Sequence, residues 1–198
     1  MFKNYTPEIK DRLLSIGTSV SRTIFFLKKP VIAQIQGPAI GAGSIFSFAC
    51  DFRIVAEKEG MYFHLPELEI NIPGATGPTV QSIALLGLPM SKLMMIGSEK
   101  QSLEQLKSLG VISKTCAPDD LDSEVKKFCR GLVEKSGTLL FTQKTMCNIM
   151  GIGLARKYYE MENEVAEYFF SRAGEENRAD MDEFISRLWE KYGEGSPK

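Results

Sequence analysis

GPAIGAGSIFSFACD, residues 37 to 51, sets three glycines and a proline directly against the apolar run SIFSFA, and its reading decides the fold. The glycines permit backbone that other residues avoid, whereas SIFSFA reads as a buried helix. Upstream, VIAQIQ (31–36) has the short, alternating, β-branched look of a strand. Downstream, DFRIVA (51–56) reads as a second buried strand, EKEG as a turn and MYFHL (61–65) as a third extended piece. A strand that runs into glycines and then a helix leaves free backbone N–H groups at the positive end of the helix dipole, a place that stabilises negative charge. A phosphate cradle fits poorly, because GPAIGAG lacks the lysine and spacing of a P-loop and matches the dinucleotide fingerprint imperfectly. An oxyanion hole needs only one or two N–H groups. A turn that merely packs strand on helix would read the same way.

Working outward, Thr6-Pro7-Glu8 carries a cap, a first-turn proline and an early acid, and Ile9, Leu13, Ile16, Val20, Ile24 and Leu27 recur at helical spacing. Pro30 ends that helix. After a second glycine-proline cluster, INIPGATGPT (70–79), two short apolar helical stretches follow, divided by Gly87 to Pro89. Residues 102–109 make another short helix closed by Gly110, and VISKT returns to extended structure. Helix and strand alternate, so the class is α/β. From about Asp119 the character changes to three helical stripes: Leu121, Val125, Phe128 and Leu132; Tyr158, Met161, Val165 and Phe169; and Met181, Phe184, Ile185, Leu188, Trp189 and Tyr192. The division expected is a core over 1–118 and a helical oligomerisation region over 119–198. The wide aromatic last stripe points to docking against something, with another subunit as a candidate.

Composition bounds the function. The 198 residues are 43% hydrophobic, enough for a real core, and 24 basic against 25 acidic residues leave a net charge of −1. No global field argues for nucleic acid or a charged membrane surface. Cys50, Cys116, Cys129 and Cys147 have no metal-like spacing and there is one histidine, so no metal site is expected and the thiols read as reduced and mostly buried. No apolar run reaches transmembrane length and MFKNYTPEIKDR lacks a secretory layout, so a soluble, cytoplasmic protein is expected.

The stretch from Leu27 to Tyr192 resembles the crotonase, or enoyl-CoA hydratase/isomerase, family in order and spacing. KKPVIAQIQG, the GAG turn at 41–43, CDFRIVA, FHLPE, IPGATG, EQLKSLGVISKT and MDEFISRLWEKY carry the likeness. The resemblance implies a spiral of β-β-α turns with a helical C-terminal region that builds homotrimers, often paired into hexamers. It implies an acyl-CoA thioester as substrate and no cofactor besides the coenzyme A that the substrate brings. It places the backbone N–H of Ala42, flanked by Gly41 and Gly43, on the thioester oxygen. Pro73 and Gly74 would line the acyl end, and Arg187 would help hold a neighbour's coenzyme A. His64, a substrate-binding candidate, stands where many relatives have glycine and reads as a satisfied structural histidine sooner than a catalytic one, and Ser44, without a base beside it, is no nucleophile.

The reaction turns on carboxylates. Hydratases of the family resemble one another in two glutamates, one just after the glycine turn and one in F-x-x-P-E. Here the first position is Ile45 and the second is Glu67. Adding water suits two carboxylates, whereas one base in an apolar site suits moving a double bond: it takes a proton from C2 and returns it to C4. The resemblance therefore favours a 3,2-enoyl-CoA isomerase with Glu67 as base, with a hydratase or a non-catalytic acyl-CoA-binding member as alternatives. Glu69 is a second candidate base. Nothing before Leu27 matches the F-x-A-G-A-D loop that supplies the family's other oxyanion donor, so an N-terminally truncated fold with open strand edges is expected.

Overall fold

The computed structural model describes residues 6–70, 72, 74, 76–171 and 178–192. The Thr6 hydroxyl accepts from the N–H of Ile9 at 3.4 Å, and Pro7 opens α1 (Pro7–Phe26), which ends before Pro30 as expected. Then come β1 (Ile32–Ile35), β2 (Ala39–Ile40), α2 (Ala42–Ala49), β3 (Phe52–Ala56) and β4 (Tyr62–His64). A 3-10 turn over Glu67–Ile70 leads towards α3 (Pro78–Met95), which breaks at Gly87, where φ is 71°. β5 (Gln101–Ser102), α4 (Leu103–Ser108), β6 (Lys114–Cys116), α5 (Leu121–Val133), α6 (Gly137–Ser171) and α7 (Arg178–Tyr192) complete the chain.

Two three-stranded sheets take strands in alternation. One has the order β1-β3-β6, all parallel, with Ile32 opposite Phe52 and Ile54 opposite Lys114. The other has the order β2-β4-β5, with β2 parallel and β5 antiparallel to β4. β1-β2-α2 and β3-β4-α3 are thus successive β-β-α units, each giving one strand to either sheet. β1 and β2 stand at the sheet edges among the described residues. The main core joins both sheets to α2, α3 and α4 through Ile35, Ile45, Phe48, Val55, Phe63, Leu65, Met94 and Leu106. Phe63 is fully buried and stacks on Phe48 at 5.9 Å between centroids, a burial that contributes about 2–3 kcal/mol. Leu121, Val125 and Phe128 of α5 cover Ile54 and Ala56 on the outer side of β3.

Two charged side chains, Arg53 and Asp51, fasten this framework. Arg53, 4% exposed, donates from Nε to the Val111 carbonyl (2.7 Å) and from one terminal nitrogen to the Ser47 (3.0 Å) and Cys50 (2.7 Å) carbonyls. It closes the C-terminal end of α2, where carbonyls lack helical partners. Asp51 accepts from the Val31 N–H and the Lys144 ammonium, each at 2.7 Å, which ties β1 to α6.

Several expectations are corrected. The apolar stripe of α1 is covered only in part: Ile9, Ile16 and Leu27 are exposed and Val20 and Ile24 half-buried, while Thr18 and Ser21 are buried. Small side chains allow close approach there, and a Cβ built on Gly17 would stand 2.5 Å from Thr76 Cγ2. The thiols are not mostly buried. Cys50, Cys116 and Cys129 are half-buried at element ends and flanks, and Cys147 is exposed. The two-residue strands β2 and β5 are too short for a periodic signal. Phe184 of α7 stacks on Tyr168 of α6 at 3.9 Å, so this part of the last stripe docks on its own chain, while Ile185 stays exposed. Met181, Trp189 and Tyr192 have side chains outside the described residues. No described helix is long and apolar enough to cross a membrane.

Candidate active site

Gly41 is the pivot of the glycine turn. Its φ of 53° and ψ of −118° suit only glycine, and its N–H donates to the His64 carbonyl at 2.9 Å, extending the pairing of β2 with β4. The Ile45 N–H donates back to the Gly41 carbonyl at 3.0 Å, the first helical bond of α2. The amides of Ala42 and Gly43, both exposed, therefore have no partner within the helix and face outward at its positive end. Ala42 is the first helical residue and is not among the described non-glycine residues with positive φ, which are Thr76 and Ser98. An alanine thus sits at this position without backbone strain.

Glu67 reaches this turn from the other side. Its Oε1 lies 3.5 Å from the point where a Cβ on Gly41 would stand, so the carboxylate sits in van der Waals reach of the turn. Burial raises the Glu67 pKa above an ordinary carboxylate's, against smaller opposing pulls from its own backbone N–H and from His64. The Glu67 carbonyl accepts from the Ile72 N–H at 3.0 Å, which shapes the turn that carries it.

The neighbouring polar groups are committed. The Ser44 hydroxyl lies 2.7 Å from the Ala39 carbonyl and 3.1 Å from the His64 carbonyl and accepts from the His64 N–H at 3.2 Å, so it ties α2 to β2 and β4. His64, buried, places Nε2 3.0 Å from the Ser98 carbonyl, which fixes the proton on Nε2. Glu69 is exposed, 3.7 Å from the same nitrogen. Ile45, 4% exposed, belongs to the main core directly beneath the turn. Gly74 is closely approached: a Cβ there would meet Met95 Cε at 2.9 Å and Pro78 Cγ at 3.2 Å. Pro73 lies outside the described residues. Arg187 is exposed on α7, its guanidinium 5.9 Å from the Phe184 ring centroid. The structure thus brings Gly41, Ala42, Gly43, His64 and Glu67 together around the start of α2, and shows no contact between Arg187 and that cluster.

Sequence reading missed Arg53, concealed in a strand, and Glu162, a buried acid of α6 that meets the start of α3 through Thr79 at 2.7 Å. No local pattern marks either contact.

A helix start with open amides, a half-buried carboxylate beside it and an apolar floor define an α/β protein able to hold a developing oxyanion next to a proton acceptor. The family model for enoyl-CoA hydratase/isomerase matches residues 10–194, and the chain belongs to that family. It is 30% identical over 134 residues to a crotonyl-CoA hydratase of Syntrophomonas wolfei, covering 68% of this chain and 51% of that protein. It is 34% identical over 121 residues to a fatty acid oxidation complex subunit alpha of Psychrobacter cryohalolentis, covering 61% of this chain and 16% of that one. The chain therefore spans about half the length of the first of these relatives and less of the second. An enoyl-CoA hydratase structure from Mycobacterium avium subsp. paratuberculosis superposes with a TM-score of 0.76 at 21% identity, over 82% of this chain and 67% of that one, which shows the shared fold.

Proposed function

We propose that this chain acts on acyl-CoA thioesters and shifts a double bond from the 3 to the 2 position. The observation that supports this reading best is the pairing of Glu67 Oε1 with the bare backbone of Gly41, above a buried Ile45. The Glu67 carboxylate takes a proton from C2 of a 3-enoyl-CoA. The pair from the broken C2–H bond forms the C1–C2 double bond and displaces the carbonyl pair onto the thioester oxygen, where the Ala42 N–H holds the dienolate, conjugated with the C3–C4 double bond. Glu67 then returns the proton to C4, leaving the double bond between C2 and C3. Burial that lifts the Glu67 pKa brings the carboxylate nearer the basicity of the carbon acid, easing both transfers. Coenzyme A enters as part of the substrate, in an assembly of three or six copies in which exposed Arg187 can reach a neighbour's substrate.

Hydration is the second reading. The name of the Syntrophomonas relative favours it, and the apolar Ile45 weighs against it, since water addition calls for a second carboxylate. Incubation with 3-enoyl-CoA is expected to yield 2-enoyl-CoA, while Glu67→Gln abolishes turnover and keeps the far-ultraviolet spectrum. Hydration of 2-enoyl-CoA without isomerisation, or full activity of Glu67→Gln, would overturn the assignment.

A further inference from the structure

The segment between Glu67 and α3 ends in backbone that does not hold itself. Thr76 has φ 75° and Gly77 φ 100°, and a β-branched residue at positive φ is a strained position that its surroundings must stabilise. Gly77 caps α3 without a side-chain hydrogen bond. The missing cap comes from far away in sequence. Glu162 of α6, 4% exposed, accepts the Thr79 N–H on Oε1 at 2.7 Å, and the neighbouring amides of Gly77 and Val80 lie near enough to favour its ionised form. Its Oε2 has no hydrogen-bond partner among the described residues. α1 closes the other side, where Gly17 leaves room for Thr76.

We propose that Glu162 is a positioning residue: by closing the N-terminus of α3 it fixes the turn at Thr76 and Gly77, and through it the segment that carries Glu67 to the oxyanion site. The proposal rests on the assignment of Glu67 as base. The links along that segment are the Ile72 N–H on the Glu67 carbonyl, the close seat of Gly74 on Pro78 and Met95, and the Thr76 contact with α1. Small displacements of a base from its substrate are costly, with about 1 Å able to lower the rate about 10²-fold. No second ionisable group enters the causes of its altered titration, which are burial and the pull of Gly77, Thr79 and Val80 at the start of α3.

Reach and charge are separated by two substitutions. Glu162→Gln keeps the length and the Oε1 acceptor, whereas Glu162→Asp keeps the charge and retracts it by one methylene. The expected result for Glu162→Asp is amide exchange at Gly77, Thr79 and Val80 at least 10-fold faster, with kcat lowered about 10²-fold and KM within about threefold. Glu162→Gln is expected to hold both within about threefold of the parent protein. Unchanged exchange at these amides in Glu162→Asp overturns the proposal whatever the turnover, and so does equal loss of kcat in both variants. Exchange needs no substrate, so a protein that turns over neither thioester would defeat the Glu67 assignment alone and leave the hold on α3 decided by exchange.

Discussion

The starts of α2 and α3 solve the same electrostatic problem in opposite ways. Both helices open behind glycine turns with positive φ, at Gly41 and at Gly77, and neither cap residue supplies a side-chain hydrogen bond. At α3 the helix start is closed by the protein's own carboxylate, Glu162, which takes the Thr79 N–H and is sealed from water. At α2 the amides of Ala42 and Gly43 stay open, and the nearby carboxylate, Glu67, stands against Gly41. One positive helix end is used up by structure and the other is kept for an anion that arrives from outside. Burial raises both carboxylate pKa values, and their different surroundings give the two rises different consequences.

The sharpest way to break this contrast is the pH profile of turnover. A base acts only when ionised, and the Glu67 pKa lies above an ordinary glutamate's 4.5. Below that raised pKa, kcat/KM is expected to fall about tenfold per pH unit, with the acidic limb centred above 4.5 and a level region at higher pH. A limb at an ordinary carboxylate pKa would mean that Glu67 is not the group titrating. A profile without any acidic limb would move the base elsewhere.

Stability against pH tests the closed end. The Glu162 pKa is pushed up to about 7 from 4.5, chiefly by burial, with the bonds from α3 pulling against it. A folded pKa above the unfolded one means that the contribution is complete below about pH 4.5 and is lost as pH rises through about 7. Across that window the parent protein is expected to lose roughly 3 kcal/mol more than Glu162→Gln in urea unfolding. Glu67 titrates in the same direction in both proteins and cancels from the difference. Parallel stability curves would show that Glu162 is not buried as described.

What the sequence discloses follows how local the physics is. The alternation of helix and strand, the glycine junction, the cap at Thr6 and the break at Gly87 were legible, because each depends on residues within a turn or two, whereas the β-β-α order came only through the family resemblance. Glu67 was legible only through its motif, since a glutamate in a polar loop otherwise reads as solvated. The role of Ile45 as core beneath the turn was half legible: helical, but with no sign of what lay above it. The hold of Glu162 on Thr79 spans 83 residues and leaves no pattern, as does the Lys144–Asp51 pair that spans 93. β2 and β5 were hidden by their length, and the burial of Thr18 and Ser21 on α1 because polar side chains carry no sign of the element that covers them.

The smallest effect separates the two glycines of the open turn. Gly43 lies within α2, where a Cβ would stand 3.9 Å from Ala39 Cβ in ordinary contact. Gly43→Ala is therefore expected to be neutral or to stabilise by up to about 1 kcal/mol, because alanine loses less chain entropy on entering a helix. Gly41 occupies backbone that an L-residue avoids, so Gly41→Ala is expected to destabilise by about 1–3 kcal/mol in urea unfolding. The added methyl also stands beside Glu67 Oε1 and displaces water from it, which disfavours the ionised form. The acidic limb of turnover should then move further up in Gly41→Ala and stay in place in Gly43→Ala. If both variants lose stability and shift the limb alike, the turn is only a tight connection and Gly41 has no special relation to the carboxylate.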